Sequence, residues 1–546
     1  MTGTETPKYA VAARRIGSVS AFVAINMALQ VVAQMMIAFH FGAGQHTDAY
    51  FMARDIADLF GKFFLTGQIT VVLMPLFLEY HNQRGPEESM GLMKQLINLI
   101  LIGAGGALVL LGIGAPWLVR LLAPGFAVET QALTVGLFRI LLLSTFLTLL
   151  VGVAAALLNA FQRFTLPRAT AGLLPMGLIL ALWMFKPWGG VFALAWGLVV
   201  GNAVQAVILF TAARRDGLRW HLDVAPWRNE GVRRFFWLVV PFFGAYAAGW
   251  GQGAVYNIIV SYFPAGSLSA LSYSGRTMKA LFAVALTGFS VVIYHSLARQ
   301  AVGGKMEALA DTTAKSLRMI LFVLLPLTAV GMALSTPIIQ VLLERGSFSE
   351  GATVQTAGLF IVYLMALPLM GCSMLLNNVL YSLQQTRVAV NIGIVGMLMQ
   401  AALYWPLSKL LGLSGFAWVI VCSNSFLCVA CYRAVVSRVP PLRGRISLPR
   451  LGQNVVAAGL AGLVAAATFQ GLGWLLGPGA LGVRLLAFIS ATVAGLGTFG
   501  LIAYLWSSTE AEAIWGLAVA RFRHEKFVPA GEPGTSSLEF PTAPDV

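Results

Sequence analysis

The run SVSAFVAINMALQVVAQMMIAFHF, from Ser18 to Phe41, is 24 residues long and contains no Asp, Glu, Lys or Arg. At a helical rise of about 1.5 Å per residue it spans the roughly 30 Å hydrocarbon layer of a bilayer. It exceeds the apolar core of a signal peptide and has no convincing cleavage site, so it predicts a retained first membrane helix. The rest of the chain repeats the pattern. Of 546 residues, 58% are hydrophobic and 10% are charged, against about 25% charged in a soluble domain, and the mean hydropathy is +0.80. This composition excludes a water-soluble protein and predicts an all-α polytopic membrane protein, in which each helix satisfies its own backbone hydrogen bonds.

Apolar windows of spanning length fall near 18–41, 50–79, 93–114, 131–160, 169–186 and 190–213, and again near 235–262, 268–297, 316–343, 353–382, 388–410 and 413–436, with two more near 452–476 and 481–507. The expectation is therefore about fourteen transmembrane helices. Pro75, Pro175, Pro241, Pro326, Pro368 and Pro406 fall inside them and predict kinks or interruptions. The chain also resembles itself at an offset of 222 residues: Leu122 to Phe126 faces Glu344 to Phe348, Gln162 faces Gln384, and Tyr50 to Arg54 faces Ser272 to Arg276. With six helices per repeat, both halves keep one membrane orientation. The predicted organisation is a cytoplasmic segment 1–17, a six-helix lobe 18–220, a second six-helix lobe 221–440, two additional transmembrane helices 441–510 and a cytoplasmic tail 511–546.

The net charge of +15 from 36 basic and 21 acidic residues reads as topology rather than as a nucleic-acid surface. With the amino terminus in the cytoplasm, 26 basic residues fall in cytoplasmic segments. Six fall outside (Arg120, Arg139, Lys186, Arg345, Lys409 and Arg484), and four fall inside predicted helices (Arg54, Lys62, Arg276 and Lys279). Both termini are expected in the cytoplasm. The basic connection 438–450 reads as a positive-inside loop. The four cysteines, Cys372, Cys422, Cys428 and Cys431, all lie in apolar segments, which predicts free thiols packed as small residues and no bound metal. No phosphate-binding loop, metal-ligand spacing or nucleophile motif is present, so no catalytic residue, metal or cofactor is expected and the protein is read as a transporter rather than an enzyme. A coupling ion or the membrane potential would supply the energy.

Ionised groups inside membrane helices are costly and face a protein interior or a watery cavity. In the second predicted helix Arg54, Asp58 and Lys62 recur at i, i+4 on one face, with Asp55 about 100° away from Arg54. In the eighth, Arg276 and Lys279 stand at i, i+3 with no acid nearby. Arg54 and Arg276 are repeat mates, and two guanidinium groups facing each other across a seam form a bidentate receptor for phosphate or pyrophosphate oxygens. The expected substrate-binding set is Arg276, Arg54, Lys62 and Lys279, with Asp55, Asp58 and Asp48 as coupling or cavity acids.

Several motifs carry a family resemblance: Phe41-Gly42-Ala43-Gly44, Thr47-Asp48-Ala49-Tyr50-Phe51, Pro75-Leu76-Phe77-Leu78-Glu79-Tyr80, Ala123-Pro124-Gly125-Phe126, the segment Leu158 to Phe164 through Pro167, and Ala193-Leu194-Ala195-Trp196. In order and spacing these resemble the MurJ/MviN-type lipid II flippase family of the multidrug/oligosaccharidyl-lipid/polysaccharide flippase superfamily. The resemblance implies a fourteen-helix, two-lobed fold in the bacterial inner membrane. It also implies outward movement of an undecaprenyl-pyrophosphate-linked peptidoglycan precursor by alternating access. Arg276 matches a cavity-facing family arginine, and Asp48 matches the acidic residue before the second helix. The sequence departs from the family in the first helix, where Asn26 to Phe41 holds no Arg or Lys, and in the second, where Asp55 stands at a commonly basic position. The implied partners are a polyprenyl-pyrophosphate-linked glycan, membrane lipids and envelope-synthesis proteins, with no nucleic acid. Three other activities are weighed beside it: flipping of another lipid-linked glycan such as an exopolysaccharide or O-antigen unit, cation-coupled multidrug export through Asp55 and Asp58, and a non-transporting envelope scaffold.

Overall fold

The computed structural model describes residues 6–65, 76–77, 79–161, 163, 165–215, 230–239, 243–445, 448–476 and 481–506, which contain helices and no strand. Helix α1 is Thr6–Phe41, α2 Gln45–Leu65, α3 Pro86–Leu99, α4 Gly105–Ile113, α5 Ala115–Leu122, α6 Val128–Ala160, α7 Thr165–Thr170, α8 Leu173–Gly189, α9 Phe192–Arg215 and α10 Glu230–Val239. Then follow α11 Phe243–Val260, α12 Ser267–Val302, α13 Met306–Ala333, α14 Ser335–Leu343, α15 Glu350–Ser382, α16 Thr386–Leu411, α17 Ser414–Val436, α18 Leu448–Leu476 and α19 Leu481–Leu505. Each of the fourteen apolar windows carries helix. Ten helical stretches among the described residues are long and apolar enough to cross a bilayer, and Ile25–Phe41 is a shorter apolar one. The chain is a multi-pass, all-helical membrane protein.

Several boundaries differ from expectation for local reasons. Helix α1 begins at Thr6, inside the segment expected before the membrane, because Pro7 sits in its first turn, where no intrahelical donor is needed, and an alanine-rich stretch follows. The third window is not uniform: α3 passes through a π-helical turn, Ile100–Ala104, into α4, at the glycine-rich sequence Gly103, Gly105, Gly106. The fifth is split into α7 and α8 just before Pro175, and the ninth is broken at Leu334. Pro326, Pro368 and Pro406 lie inside α13, α15 and α16. Pro75, Pro241, Gln162 and the tail beyond residue 506 lie outside the described residues.

The 222-residue offset recurs in three dimensions. Shifted by it, α6 falls on α15 and α9 on α17, and the start of α2 falls on the start of α12. The packing partners shift as well. Helix α2 packs on α6 as α12 packs on α15, α6 on α9 as α15 on α17, α8 on α9 as α16 on α17, and α1 on α8 as α11 on α16. The turns before α9 and α17 both use a glycine at positive φ, Gly190 at 52° and its mate Gly412 at 59°, a conformation that side chains resist. Helices α18 and α19 pack on each other and on α13 through small residues. Ala457, Ala461, Ala465 and Ala491 are buried there, and a Cβ on Gly462 would lie 2.9 Å from the Ala329 carbonyl oxygen. Such stripes let membrane helices approach closely enough for dispersion to hold them.

The two halves meet where α1 and α2 contact α11 and α12. At one end of this seam the contacts exchange under the same offset: the Gly125 amide donates to Ser261 Oγ at 3.0 Å, and the Ser347 amide donates to the Phe39 carbonyl at 2.9 Å. Residues 125 and 347 are mates, as are 39 and 261. The mates Phe51 and Tyr273 meet edge to face across the seam, centroids 5.3 Å apart. Helix α10 is tied back to the first half by ion pairs, Arg234 with Glu79 at 2.8 Å and Glu230 with Arg84 at 3.5 Å.

Candidate functional site

Below the Phe51 and Tyr273 pair, a cavity of about 1350 Å³ opens between the halves. Helix α2 contributes Arg54, Asp55 and Asp58, and α12 contributes Arg276 and Lys279. The spacing explains the placement: Arg54 and Asp58 follow each other at i, i+4, and Asp55 turns toward the same space beside Arg54. Arg54 is steadied by its own helix, with Nη1 donating to Tyr50 Oη at 3.4 Å. Arg276 lies over the Phe51 ring, 5.1 Å from its centroid, a cation–π contact that holds the guanidinium while leaving its N–H edge available. Both arginines are half-buried, whereas Asp58 and Lys279 are exposed to the cavity. Asp55 sits in the field of Arg276, Asp58, Arg54 and Lys279. Arg276 in turn feels Arg54 as a like charge.

The structure thus brings five of the seven sequence-expected residues together. Lys62 continues the α2 face, but its side chain lies outside the described residues. Asp48 is not part of the cavity lining. It is 3% exposed and caps the start of α12: its carboxylate accepts from the Gly266 amide at 2.6 Å, the Ser269 amide at 2.7 Å and Ser269 Oγ at 2.5 Å. A carboxylate at a helix N-terminus satisfies orphan amide donors and complements the helix dipole. Asp48 therefore ties α2 of one half to α12 of the other at the closed end of the seam.

Among the described residues, three lining cations against two lining carboxylates leave a formal charge of +1. Most of the remaining polar lining is amide and phenol, which the charge-based reading missed. From α1 come Asn26, Gln30 and Gln34, one face at i, i+4, i+8. Gln34 Nε2 donates to the Tyr273 carbonyl at 3.1 Å and to Thr277 Oγ1 at 3.3 Å, bridging α1 to α12. From the second half come Gln252 and Tyr256 on α11, Gln400 and Tyr404 on α16, and Asn424 on α17. The signal available in the sequence was polar side chains recurring at four-residue spacing inside apolar helices. Asn257, next on α11, is 1% exposed, and neither its Oδ1 nor its Nδ2 finds a partner among the described residues. An unpaired buried amide of this kind costs about 1–3 kcal/mol. Among the described residues no group of three or more His, Cys, Asp or Glu is arranged to hold a metal ion.

Residues 37–480 match the family model described as lipid II flippase MurJ. The chain is 27% identical over 466 residues to the probable lipid II flippase MurJ of Bdellovibrio bacteriovorus, covering 83% of this chain and 87% of that protein. To the lipid II flippase MurJ of Burkholderia cenocepacia it is 25% identical over 427 residues, covering 76% of this chain and 82% of the relative. In fold it is similar to a solved lipid II flippase MurJ in an inward closed conformation, with a TM-score of 0.74 at 18% identity over 89% of this chain and 98% of that one. A multidrug resistance MATE family transporter of the MOP superfamily, inward-facing, gives 0.65 at 14% identity over 77% of this chain and 95% of that one.

Proposed function

We propose an activity from one premise: the chain belongs to the lipid II flippase MurJ family, whose model covers residues 37–480. It is a transporter and not an enzyme. The protein moves a polyprenyl-pyrophosphate-linked saccharide, the peptidoglycan precursor lipid II, from the inner to the outer leaflet of the bacterial inner membrane. Fourteen helices form two six-helix lobes, within 18–220 and 221–440, with two helices appended and both termini in the cytoplasm. Recurrence of the same helix pairings in both halves supports the lobes, and the excess of basic residues in alternate loops supports the orientation.

The observation that carries the reading is the pair of repeat-mate arginines, Arg54 and Arg276, in one cavity on the seam. Two guanidinium groups there bind the oxygens of a pyrophosphate. Lys279 adds charge, Lys62 assists from further along α2, and Asp55 and Asp58 set the balance or couple an ion. The hydrocarbon tail stays in lipid while rocking of the lobes exposes the cavity to each side in turn. With Asp48 capping α12, the end bearing Gly125, Ser261 and Ser347 is the outer gate.

The test is complementation of a bacterium depleted of its own lipid II flippase, with wild type and Arg276→Ala at equal membrane abundance. Growth with wild type and arrest with the variant is the expected result. A correctly inserted wild type that fails to rescue would move the substrate to another lipid-linked glycan. One observation favours that second reading: the α1 wall presents Asn26, Gln30 and Gln34 where the family's first helix carries arginines.

A further inference from the structure

The cavity has two chemically different walls. Among the described residues, one holds the lining charges, on α2 and α12, and the other, on α11, α16 and α17, holds no charge. The uncharged wall is nonetheless built as a unit. Gln252 Nε2 donates to Tyr404 Oη at 2.9 Å, joining α11 to α16. Gln400 Nε2 donates to Ser423 Oγ at 2.8 Å, joining α16 to α17. Asn424 Nδ2 is turned back onto its own helix, donating to the Ile420 carbonyl at 2.8 Å. Behind them Tyr256, Tyr404 and Phe416 pack ring on ring at 5.4 to 5.6 Å.

This wiring decides what the wall recognises. Each of the three amides spends one N–H on the protein, which fixes its orientation and leaves its carbonyl oxygen and its second N–H for a ligand. A wall of neutral donors and acceptors with no cation gives phosphate oxygens no charge to pair with and suits groups that both donate and accept, such as hydroxyls and acetamido groups. Trp250 adds an aromatic surface beside this wall. Size points the same way. About 1350 Å³ exceeds the roughly 300–1,000 Å³ of most small-molecule pockets, more than a pyrophosphate on the arginines would fill.

We infer that α11, α16 and α17 form a second, neutral subsite that binds the N-acetylated sugar of the carried lipid through the side-chain amides of Gln252, Gln400 and Asn424, while Arg54 and Arg276 hold its pyrophosphate. The subsite rests on the flippase reading and sharpens it, since it makes the sugar a recognised element rather than a passenger. Affinity for a bare carrier lipid and for a glycosylated one then depends on different residues.

The experiment measures binding of two probes to the purified full-length chain in nanodiscs: undecaprenyl pyrophosphate, and the same lipid bearing N-acetylglucosamine. Wild type should bind the sugar-bearing lipid about tenfold more tightly, the yield of one or two net hydrogen bonds. Gln400→Met and Asn424→Leu should erase that difference and leave the bare lipid's affinity unchanged, whereas Arg276→Ala should weaken both. Wild type itself supplies a readout independent of variant folding: soluble methyl N-acetylglucosaminide should compete with the sugar-bearing lipid and not with the bare one. Equal binding of both lipids by wild type, or equal loss of both in Gln400→Met and Asn424→Leu, overturns the subsite and leaves the flippase reading standing. Failure of wild type to bind either lipid overturns both.

Discussion

Replacing Asp48 by alanine removes one acceptor from three donors at once. The carboxylate receives the Gly266 and Ser269 amides and the Ser269 hydroxyl, all at 2.7 Å or less, and is 3% exposed. Each hydrogen bond to a charged group is worth roughly 1.5–3 kcal/mol. A buried donor left without its acceptor costs about 1–3 kcal/mol, so Asp48→Ala should lower thermal stability clearly. The cost is not shared equally between conformations. When the seam opens, water reaches the stranded donors and restores part of what was lost, so the closed end is penalised more than the open one. If about 2 kcal/mol of the loss is relieved in this way, the open population rises roughly 30-fold.

Ser261 is the reporter for that shift, because it is 1% exposed and accepts the Gly125 amide across the seam. In a background with Cys372, Cys422, Cys428 and Cys431 replaced, a Ser261→Cys chain should react slowly with a bulky polar maleimide. Addition of Asp48→Ala should raise the rate about 30-fold, and Asp48→Asn, which keeps one acceptor, by less. A rate within twofold of the parent would refute the argument that Asp48 holds this end shut. A fall in melting temperature without faster labelling would leave Asp48 as a helix cap alone.

Four further outcomes follow from the same geometry. Arg276→Lys should retain part of the complementing activity that Arg276→Ala loses, because an ammonium keeps the charge and gives up the bidentate fork; equal activity of the two variants in the growth assay would contradict the receptor. Asn257→Leu, which removes two unpaired buried polar atoms, should raise the melting midpoint by the equivalent of about 1–3 kcal/mol, and a lowered midpoint would mean that the amide has a structural partner. Gly42→Val should destabilise the closed seam, since Gly42 has φ of 64° and its Cβ would strike the Ser347 carbonyl; faster Ser261→Cys labelling checks it. Arg234→Ala removes the 2.8 Å pair to Glu79, but Arg234 is 52% exposed, so its effect on stability should stay below about 1 kcal/mol and shrink further in salt.

Much of the architecture was readable because lipid imposes a simple rule: a buried backbone must be helical, and an apolar stretch of about 20 residues must cross. The rule says little about where helices break. The π turn at Ile100–Ala104 and the break at Leu334 answer to local glycines and to packing, not to hydropathy. The five charged cavity residues were readable because ionised groups in lipid have few places to go. Gln252, Gln400 and Asn424 were not, because an amide in a helix is cheap enough to face either lipid-shielded protein or water. Only the side-chain pairings, Gln252 with Tyr404 and Gln400 with Ser423, separate a wall of oriented amides from scattered polar residues. Asp48 shows the converse. Its charge marked it as a candidate acid, but its position in the first turn of α2 puts it within reach of another helix's amides, and those amides consume it.

The internal repeat also explains why charge is placed as it is. Of the described charges lining the cavity, Arg54 and Arg276 alone are mates at the 222-residue offset. Asp55 faces Thr277, Asp58 faces Ala280 and Lys279 faces Ala57. The repeat therefore carries cation chemistry at one pair of mate positions in the cavity and differs at the rest. A pyrophosphate is itself a nearly symmetric group, two phosphates joined by one oxygen, and a symmetric pair of forks fits it. The remainder of a lipid-linked sugar has no such symmetry, and neither does the rest of the cavity, with carboxylates on α2 opposed by amides on α11, α16 and α17. On the proposed function, the symmetric part of the site binds what every carrier-linked substrate shares, and the asymmetric part distinguishes one glycan from another.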